Sequence, residues 1–324
     1  MMLEIIMPHY DEAWPIVRPF FDMLRCQKGV DFSQLRVRIV HDGVPAFDDR
    51  LFDDMPFKTI QSVIKHGGVS AARNYGLKHA GGKWLCFCDA DDTFSSIYSL
   101  RMIFDVLNTE KFDLLWTPFY VENATGGKLV INTNDRFNLV WVHGKFFRRE
   151  FLKKTGMLFN EDLIFAEDTA FNAIVNLELN QDRIGIIKSP FPLYSWCWRS
   201  GSATTDKANE LTHIEMKFNR NLYVLDEFRK RGYQHSNAMA ARTFTDAYFD
   251  FNRPGVRIGA ELEGRLLSFF EANRNDIASV EPDLLSQVYR ASEKEAKQNG
   301  VYNDDMPSLN DWVEGMKGRC LKHG

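Results

Sequence analysis

Residues 84–92 read Trp84-Leu85-Cys86-Phe87-Cys88-Asp89-Ala90-Asp91-Asp92. The first five are apolar at both parities, which predicts a strand covered on both faces, as at the centre of a parallel sheet. Three carboxylates then arrive at its C-terminal end, the edge where open α/β sheets bind ligands. Like charges packed so closely repel unless a cation or hydrogen-bond donors offset them. A hard divalent ion such as Mg²⁺ or Mn²⁺ takes one or two carboxylates and completes its shell with waters and phosphate oxygens. A solvated acidic turn ahead of a helix is the alternative.

Upstream, residues 3–7 form a mostly apolar run broken by Glu4 and closed by Pro8, which cannot donate to a sheet ladder. Residues 35–40, closed by His41-Asp42-Gly43, and residues 57–63 are two further strand candidates. Val17, Phe20, Phe21 and Leu24 fall at i, i+3, i+4 and i+7, one face of a helix. A second helix is expected to start at a Ser70 cap and stop at Gly81-Gly82, and Ile97, Leu100, Phe104 and Leu107 mark a third. Strand-helix alternation of this kind predicts a parallel sheet with crossover helices, residues 5–7 and 84–88 lying at its centre.

Downstream, residues 114–133 read as an antiparallel hairpin around Asn123-Ala124-Thr125-Gly126-Gly127. A helix begins near Glu167 with Phe171, Ile174 and Val175 facing inward, and residues 184–198 are strand-like again. Past residue 205 or so the strand pattern disappears. Leu211, Ile214, Phe218, Leu222 and Leu225 form a long helical stripe, with Arg229-Lys230-Arg231 at the favourable end of the dipole. Phe244 and Tyr248, then Leu262, Leu266 and Phe269, then Leu284, Leu285 and Val288 mark three more helices. The expected organisation is an α/β domain over residues 1–205 and a helical region over residues 206–324.

The 324 residues include 40 basic and 44 acidic ones, a balance that argues against a generally basic surface for nucleic acid. No apolar run approaches the roughly 18 residues that span a bilayer. The start, Met1-Met2-Leu3-Glu4, lacks the pattern of a secretory signal. Five cysteines without a C-x-x-C pair suggest neither a disulfide framework nor a zinc knuckle. A soluble, cytoplasmic protein is expected.

A second chemical block, Gly68-Val69-Ser70-Ala71-Ala72-Arg73-Asn74-Tyr75-Gly76, lies between two strands at a helix start. Free backbone N–H groups there suit anionic or polar ligands, and Arg73 adds a planar donor fork. With these residues the chain resembles the family-2 glycosyltransferases. Four blocks occur in that family's order: Ile5-Ile6-Met7-Pro8-His9-Tyr10, His41-Asp42-Gly43, the Gly68 block, and Asp89-Ala90-Asp91-Asp92. His9 stands where a small or aliphatic residue is common. The resemblance implies a GT-A fold, a Rossmann-like sheet with helices on both faces, and inverting transfer from a nucleotide-diphosphate sugar.

By the same resemblance, Pro8, Tyr10 and Asp42 line the nucleotide pocket, Asp42 and Arg73 reach the base, and Asp89 approaches the ribose. Asp91 coordinates the Mn²⁺ or Mg²⁺ that bridges the diphosphate. Asn160-Glu161-Asp162 to Glu167-Asp168 resembles the family's Glu-Asp element, which makes Asp168 the catalytic base; a carboxylate within reach of an acceptor hydroxyl can take its proton. A plain helix cap at Asp162 or Asp168 is the other reading. Residues 141–149, with His143 and Lys145, face the diphosphate or acceptor, or form a solvated basic loop. Tyr194, Trp196, Trp198, Arg199 and Ser202 match a late aromatic-basic segment. Alternation puts the three aromatics on one strand face for sugar stacking or for the core, and Arg199 is a second diphosphate contact.

The expected donor is a nucleotide sugar, UDP favoured, and the expected acceptor a saccharide or glycoconjugate. The helical region shapes the acceptor side, mediates homodimerisation or docks a partner. Lys217, Arg220, Arg229, Lys230 and Arg231 leave open a nucleic-acid acceptor with modified bases, with a solvated helix face as the plainer account. Two other classes compete. Asp89-Ala90-Asp91-Asp92-Thr93 fits the D-x-D-x-T pattern of haloacid-dehalogenase-like phosphohydrolases, with Asp89 as nucleophile, although that motif normally ends a first strand. A sugar-nucleotide-binding module without turnover is the third.

Overall fold

The computed structural model describes residues 1–109, 111–131, 141–179, 181–186, 191–200, 210–298, 300 and 302–323. Ser202 lies outside them. The chain divides into two compact units, Met1–Asp206 and Lys207–Gly324.

The first unit begins with β1 (Leu3–His9), α1 (Trp14–Arg25), β2 (Leu35–Asp42), β3 (Lys58–Ile64), α2 (Gly68–His79) and β4 (Trp84–Phe87). It continues through β5 (Thr93–Phe94), α3 (Ser99–Leu107), β6 (Leu114–Trp116), β7 (Phe119–Glu122) and β8 (Lys128–Ile131). Then follow β9 (Lys145–Arg148), α4 (Arg149–Thr155), α5 (Glu167–Glu178), β10 (Ile184–Ile186) and β11 (Tyr194–Trp196). Seven strands form the main sheet in the order β10-β6-β9-β4-β1-β2-β3. All its pairings are parallel except those of β9, which runs antiparallel to both β4 and β6. The doubly apolar strands β1 and β4 do sit at the centre. A smaller sheet orders β5-β11-β7-β8.

Pro8 does not end β1; the strand runs one residue further, to His9. The Ile6 carbonyl accepts from Cys88 N at 3.1 Å on the β4 side, so Pro8, two residues on, faces that side too. There β4 has already ended, at Phe87. Glu4, fully buried, is the polar break in that strand. It accepts from Arg38 Nε at 2.8 Å and from the backbone of Gly81 and Gly82 at 2.8 and 3.0 Å, tying β1 and β2 to the turn after α2.

The helix periodicities hold. Val17, Phe20, Phe21 and Leu24 are the buried face of α1, and each fully covered side chain contributes roughly 2 kcal/mol of transfer free energy. Phe171, Ile174 and Val175 are buried on α5. In α3, however, Ile97 precedes the helix and is exposed, the inward face being Leu100, Ile103, Phe104 and Leu107.

Ser70 is not the cap of α2. The helix starts two residues earlier, after Gly67, because Asp42 at the end of β2 supplies the cap: its carboxylate accepts from Gly67 N at 2.7 Å and Gly68 N at 2.9 Å. The hairpin around Asn123–Gly127 is present as β7 and β8, but Leu114–Trp116 leaves it to join the main sheet. Residues 132–133 of that expectation lie outside the described residues.

The second unit comprises α6 (Glu210–Lys230), α7 (Ser236–Phe251), α8 (Ala260–Ala278), α9 (Pro282–Gln298) and α10 (Leu309–His323), the last unforeseen in the sequence. Ile214, Phe218, Phe244, Phe249, Leu266, Trp312 and Met316 are among its core residues. Beneath them Asp246 accepts from Ser292 Oγ at 2.7 Å and forms an ion pair with Arg242, whose Nε lies 2.7 Å away, while Lys217 bridges Asp250 and Glu295 at 3.0 Å each. Arg229 meets Asp276 and Asn273, and Lys230 and Arg231 meet Glu227. Those cations therefore have carboxylates of their own, and Arg229 and Lys230 stay exposed, as the solvated-face reading expects. No helix among the described residues is long and apolar enough to cross a membrane.

Candidate active site

Parallel strands β1, β2 and β4 end at one edge of the sheet, and antiparallel β9 begins there, so His9, Asp42, Asp89 and Lys145 are delivered to a common rim. With no ladder partner beyond Cys88, the chain leaves β4 and turns through Asp89-Ala90-Asp91-Asp92.

Each of the three carboxylates has a different neighbour. Asp89 accepts from Arg73 NH2 at 2.9 Å. Burial works to raise its pKa, but the Arg73 and His143 charges outweigh it and hold the carboxyl below the ordinary value. Asp91 accepts from Arg199 Nε at 3.0 Å; burial and the Asp89 charge nevertheless push it up. Asp92 is fully enclosed, accepting from the Tyr194 hydroxyl at 2.5 Å and from Cys197 N at 2.9 Å. Burial, then Asp89 and Asp91, drive it well above the usual carboxylate range.

His143 and Lys145 are not on a solvated loop. Both are about 5% exposed, because β9 inserts between β4 and β6. The His143 ring stacks on Tyr194, its Nδ1 makes no hydrogen bond, and burial drops the imidazole to about 4. Asp89, Asp92 and His143 bring one donor atom each within 4.8 Å of one another. Asp91 is not in that group. The Lys145 ammonium sits 5.0 Å over the Trp116 ring, and burial lowers it to about 7. Tyr194 packs in the core and holds Asp92, so it offers no stacking face to a sugar; Trp196 and Trp198 are half-buried.

Arg73, 3% exposed, joins two halves of the rim. One nitrogen bonds Asp89; the other donates to Glu167 at 2.6 Å, and the guanidinium packs 5.3 Å from the Phe159 ring centre. These contacts commit its fork to carboxylates inside the protein. Glu167 opens α5 immediately after Ala166, whose φ of +58° is the one left-handed non-glycine conformation among the described residues. Asp168 follows in the first turn, bonded by Thr169 N at 2.6 Å. Burial first, then the Glu167 charge, lift its carboxyl to about 7 against the opposing pull of Arg73 and Lys145.

On the other side of the rim, Glu12 accepts from Arg199 NH2 at 3.2 Å and from Tyr10 N at 3.1 Å. The exposed Tyr10 ring lies 5.0 Å from His66, which itself pairs with Asp42 at 2.9 Å. Asp42, Tyr10, Arg199 and Asp91 are thus linked in series, and Arg73, Asp89 and Asp168 by a second set of contacts. Pro8 is buried one residue before the turn. Glu12 was not picked out in the sequence, where the signal available was an acidic residue two positions beyond Tyr10; Glu167 was named as part of the Glu-Asp element but given no role of its own.

A model of glycosyl transferase family 2 matches residues 4–173, which include the acidic rim and the Glu167-Asp168 pair. EpsJ of Bacillus subtilis, an uncharacterized glycosyltransferase, is 24% identical over 72% of this chain and 68% of its own length. GgaB of the same organism, a minor teichoic acid biosynthesis protein, is 26% identical over 68% of this chain, a stretch that is 26% of GgaB. Among solved structures, S. aureus TarS in complex with UDP-GlcNAc superposes with a TM-score of 0.58 at 17% identity, over 95% of this chain and 98% of that one. That likeness gives the fold, GT-A, and leaves the phosphohydrolase reading of Asp89 without support. Sheet order, rim and family match agree: the chain belongs to glycosyl transferase family 2 and is a glycosyltransferase.

Proposed function

We propose that this enzyme moves a sugar from a nucleotide-diphosphate sugar to a hydroxyl of a saccharide or glycoconjugate, with inversion, in the cytoplasm. Asp168 is the base. It takes the acceptor proton as the acceptor oxygen bonds to the anomeric carbon, while the bond from that carbon to the diphosphate oxygen breaks on the opposite face. The observation that carries this reading is a carboxyl lifted to about 7 and joined through Glu167 and Arg73 to the acidic rim, a base poised near neutral pH beside the edge where the diphosphate would sit.

Pro8, Tyr10 and Asp42 would form the nucleotide pocket, with the exposed Tyr10 ring as a stacking face. Arg199, already at the rim, would turn from Asp91 to the diphosphate. Arg73 would act by aligning Asp89 with the Glu167-Asp168 turn. His143, with its Nδ1 unbonded and its two ring nitrogens 3.5 Å from Asp92 and 3.9 Å from Asp89, makes with these carboxylates a donor set that would suit Mn²⁺ better than Mg²⁺, and Asp91 would join it once Arg199 moves. When bound, the ion would offset the charge growing on the leaving diphosphate. The UDP-GlcNAc bound by TarS makes a UDP-sugar the first donor to try.

Incubation with UDP-, GDP- and TDP-sugars and Mn²⁺, reading nucleotide release with and without EDTA, tests the reading. Release from one sugar nucleotide, lost on chelation, is the expected result. Release that persists in EDTA removes the metal from the proposal; no release with any donor and a range of saccharide acceptors removes the transfer reaction itself.

A further inference from the structure

His9 and His41 form a hydrogen-bonded pair under the exit of β1, and their contacts fix where their protons must be. His9 Nε2 lies 2.8 Å from the Glu12 carbonyl oxygen, which only accepts, so that nitrogen carries hydrogen. His41 Nε2 lies 2.9 Å from Gln61 Oε1. The Gln61 amide cannot be reversed: its oxygen also accepts from Phe47 N at 3.0 Å, and its nitrogen donates to Phe47 O at 3.0 Å and Asp49 Oδ1 at 2.6 Å. His41 Nε2 therefore carries hydrogen as well. The two remaining nitrogens, both Nδ1, face each other at 2.9 Å. Two neutral imidazoles would set lone pair against lone pair. The geometry is satisfied only with a third proton between the rings.

We propose that His9 and His41 are positioning residues of the donor site, sharing one extra proton that fastens the turn carrying Tyr10 and Glu12 to β2 and β3. The inference rests on the reading of that turn as part of the nucleotide pocket. Its surroundings exclude water: His41 is fully buried, His9 is 5% exposed, and the Phe47 ring packs 4.5 and 5.3 Å from the two imidazoles. Among the described residues, the only charge acting on His41 is that of His9 itself; the Glu12 carboxylate is engaged by Tyr10 N and Arg199, Asp42 by His66, and Asp49 reaches the pair only through Gln61. Burial opposes the shared proton and pulls His41 down to about 4, so this proton is lost well before an ordinary histidine's. Below the pair's pKa all three hydrogen bonds are made. Above it one must break, and the Tyr10-Glu12 turn loses a tether.

The test has two arms on the full chain. In ¹⁵N-histidine-labelled protein without nucleotide, the His9 and His41 ring nitrogens, assigned with His9→Val, should change together between about pH 3 and 6, around the lowered His41 value. At the acid end one signal pattern of a proton shared between the two Nδ1 atoms is expected. Two independent neutral Nε2–H tautomers throughout that range would overturn the proposal, whatever the nucleotide does. In the second arm, UDP binding with Mn²⁺ is followed by calorimetry over the same range. Affinity should fall about fivefold as the pair deprotonates, the equivalent of one hydrogen bond, and His9→Val should remove that step. A step that persists in His9→Val refutes the positioning role. No UDP binding at any pH, with a normal histidine titration, would count instead against the donor-site reading.

Discussion

Asp168 has neighbours that pull it in opposite directions, and its chemistry follows from which of them win. Burial and Glu167 raise its carboxyl to about 7, so transfer should fall as pH drops below that value, on the acid limb of kcat/KM. Replacing Glu167 with Gln removes the like charge while keeping an oxygen for Arg73; the acid limb should then move to lower pH. A limb that stays in place would exclude Glu167 as a tuning group. Asp168→Asn should lower kcat on the order of 10²- to 10⁴-fold, the usual loss of a general base. The same variant separates catalysis from stability. A folded-state pKa above the unfolded one means that this group's contribution is fully present at low pH and lost as pH rises through about 7. Asn escapes that loss, so at pH 8 the variant should melt above the parent enzyme. The carboxylates themselves were legible in the sequence because three acids after an apolar run are abrupt. Their partners were not, since Arg73–Glu167 and Arg199–Glu12 pair residues 94 and 187 positions apart.

Among elements, α2 shows most directly how a motif's residues act through packing. Gly76 lies against β1, where a Cβ would come within 2.3 Å of Ile6 Cγ2. Gly76→Ala should destabilise the fold by about 1–3 kcal/mol through overpacking, measured by denaturant unfolding, even though alanine favours helix. A neutral or stabilising result would mean that α2 can shift away from the sheet. Long periodic helices such as α1 and α5 could be read from the sequence because the apolar stripe is a local pattern. The short strand β9 could not. Its four residues, Lys145-Phe146-Phe147-Arg148, look like a basic loop, and only pairing on both sides with β4 and β6 buries them. The α2 cap misled for a related reason: Asp42, 25 residues upstream, does what Ser70 seemed placed to do.

At the scale of the molecule, the two units are organised differently. The sheet unit gathers acidic groups at a rim; the helical unit encloses a cluster around Asp246. Burial would raise Asp246, but Lys217, Arg242 and Ser292 more than compensate and depress it to about 2. A depressed carboxylate contributes stability above its ordinary value near 4 that is lost as pH falls toward 2. Asp246→Asn should therefore lower the melting temperature clearly at pH 7, at a cost of about 3–5 kcal/mol for stranded buried cations, and the gap should narrow below pH 4. A gap independent of pH would show that the loss is one of shape and not of charge. From the sequence, Lys217 and Arg220 suggested a face for phosphate; matching acids on other helices are what the linear order concealed.

Pro8 carries a consequence for the acidic loop. The next rung of the β1–β4 ladder would need a proton from its nitrogen, and proline has none to give. The zipper between the two central strands therefore stops at Cys88. One imino acid in the neighbouring strand sets the point at which Asp89, Asp91 and Asp92 are released from the sheet, and a residue in its place that could donate would allow the ladder to run on toward the carboxylates.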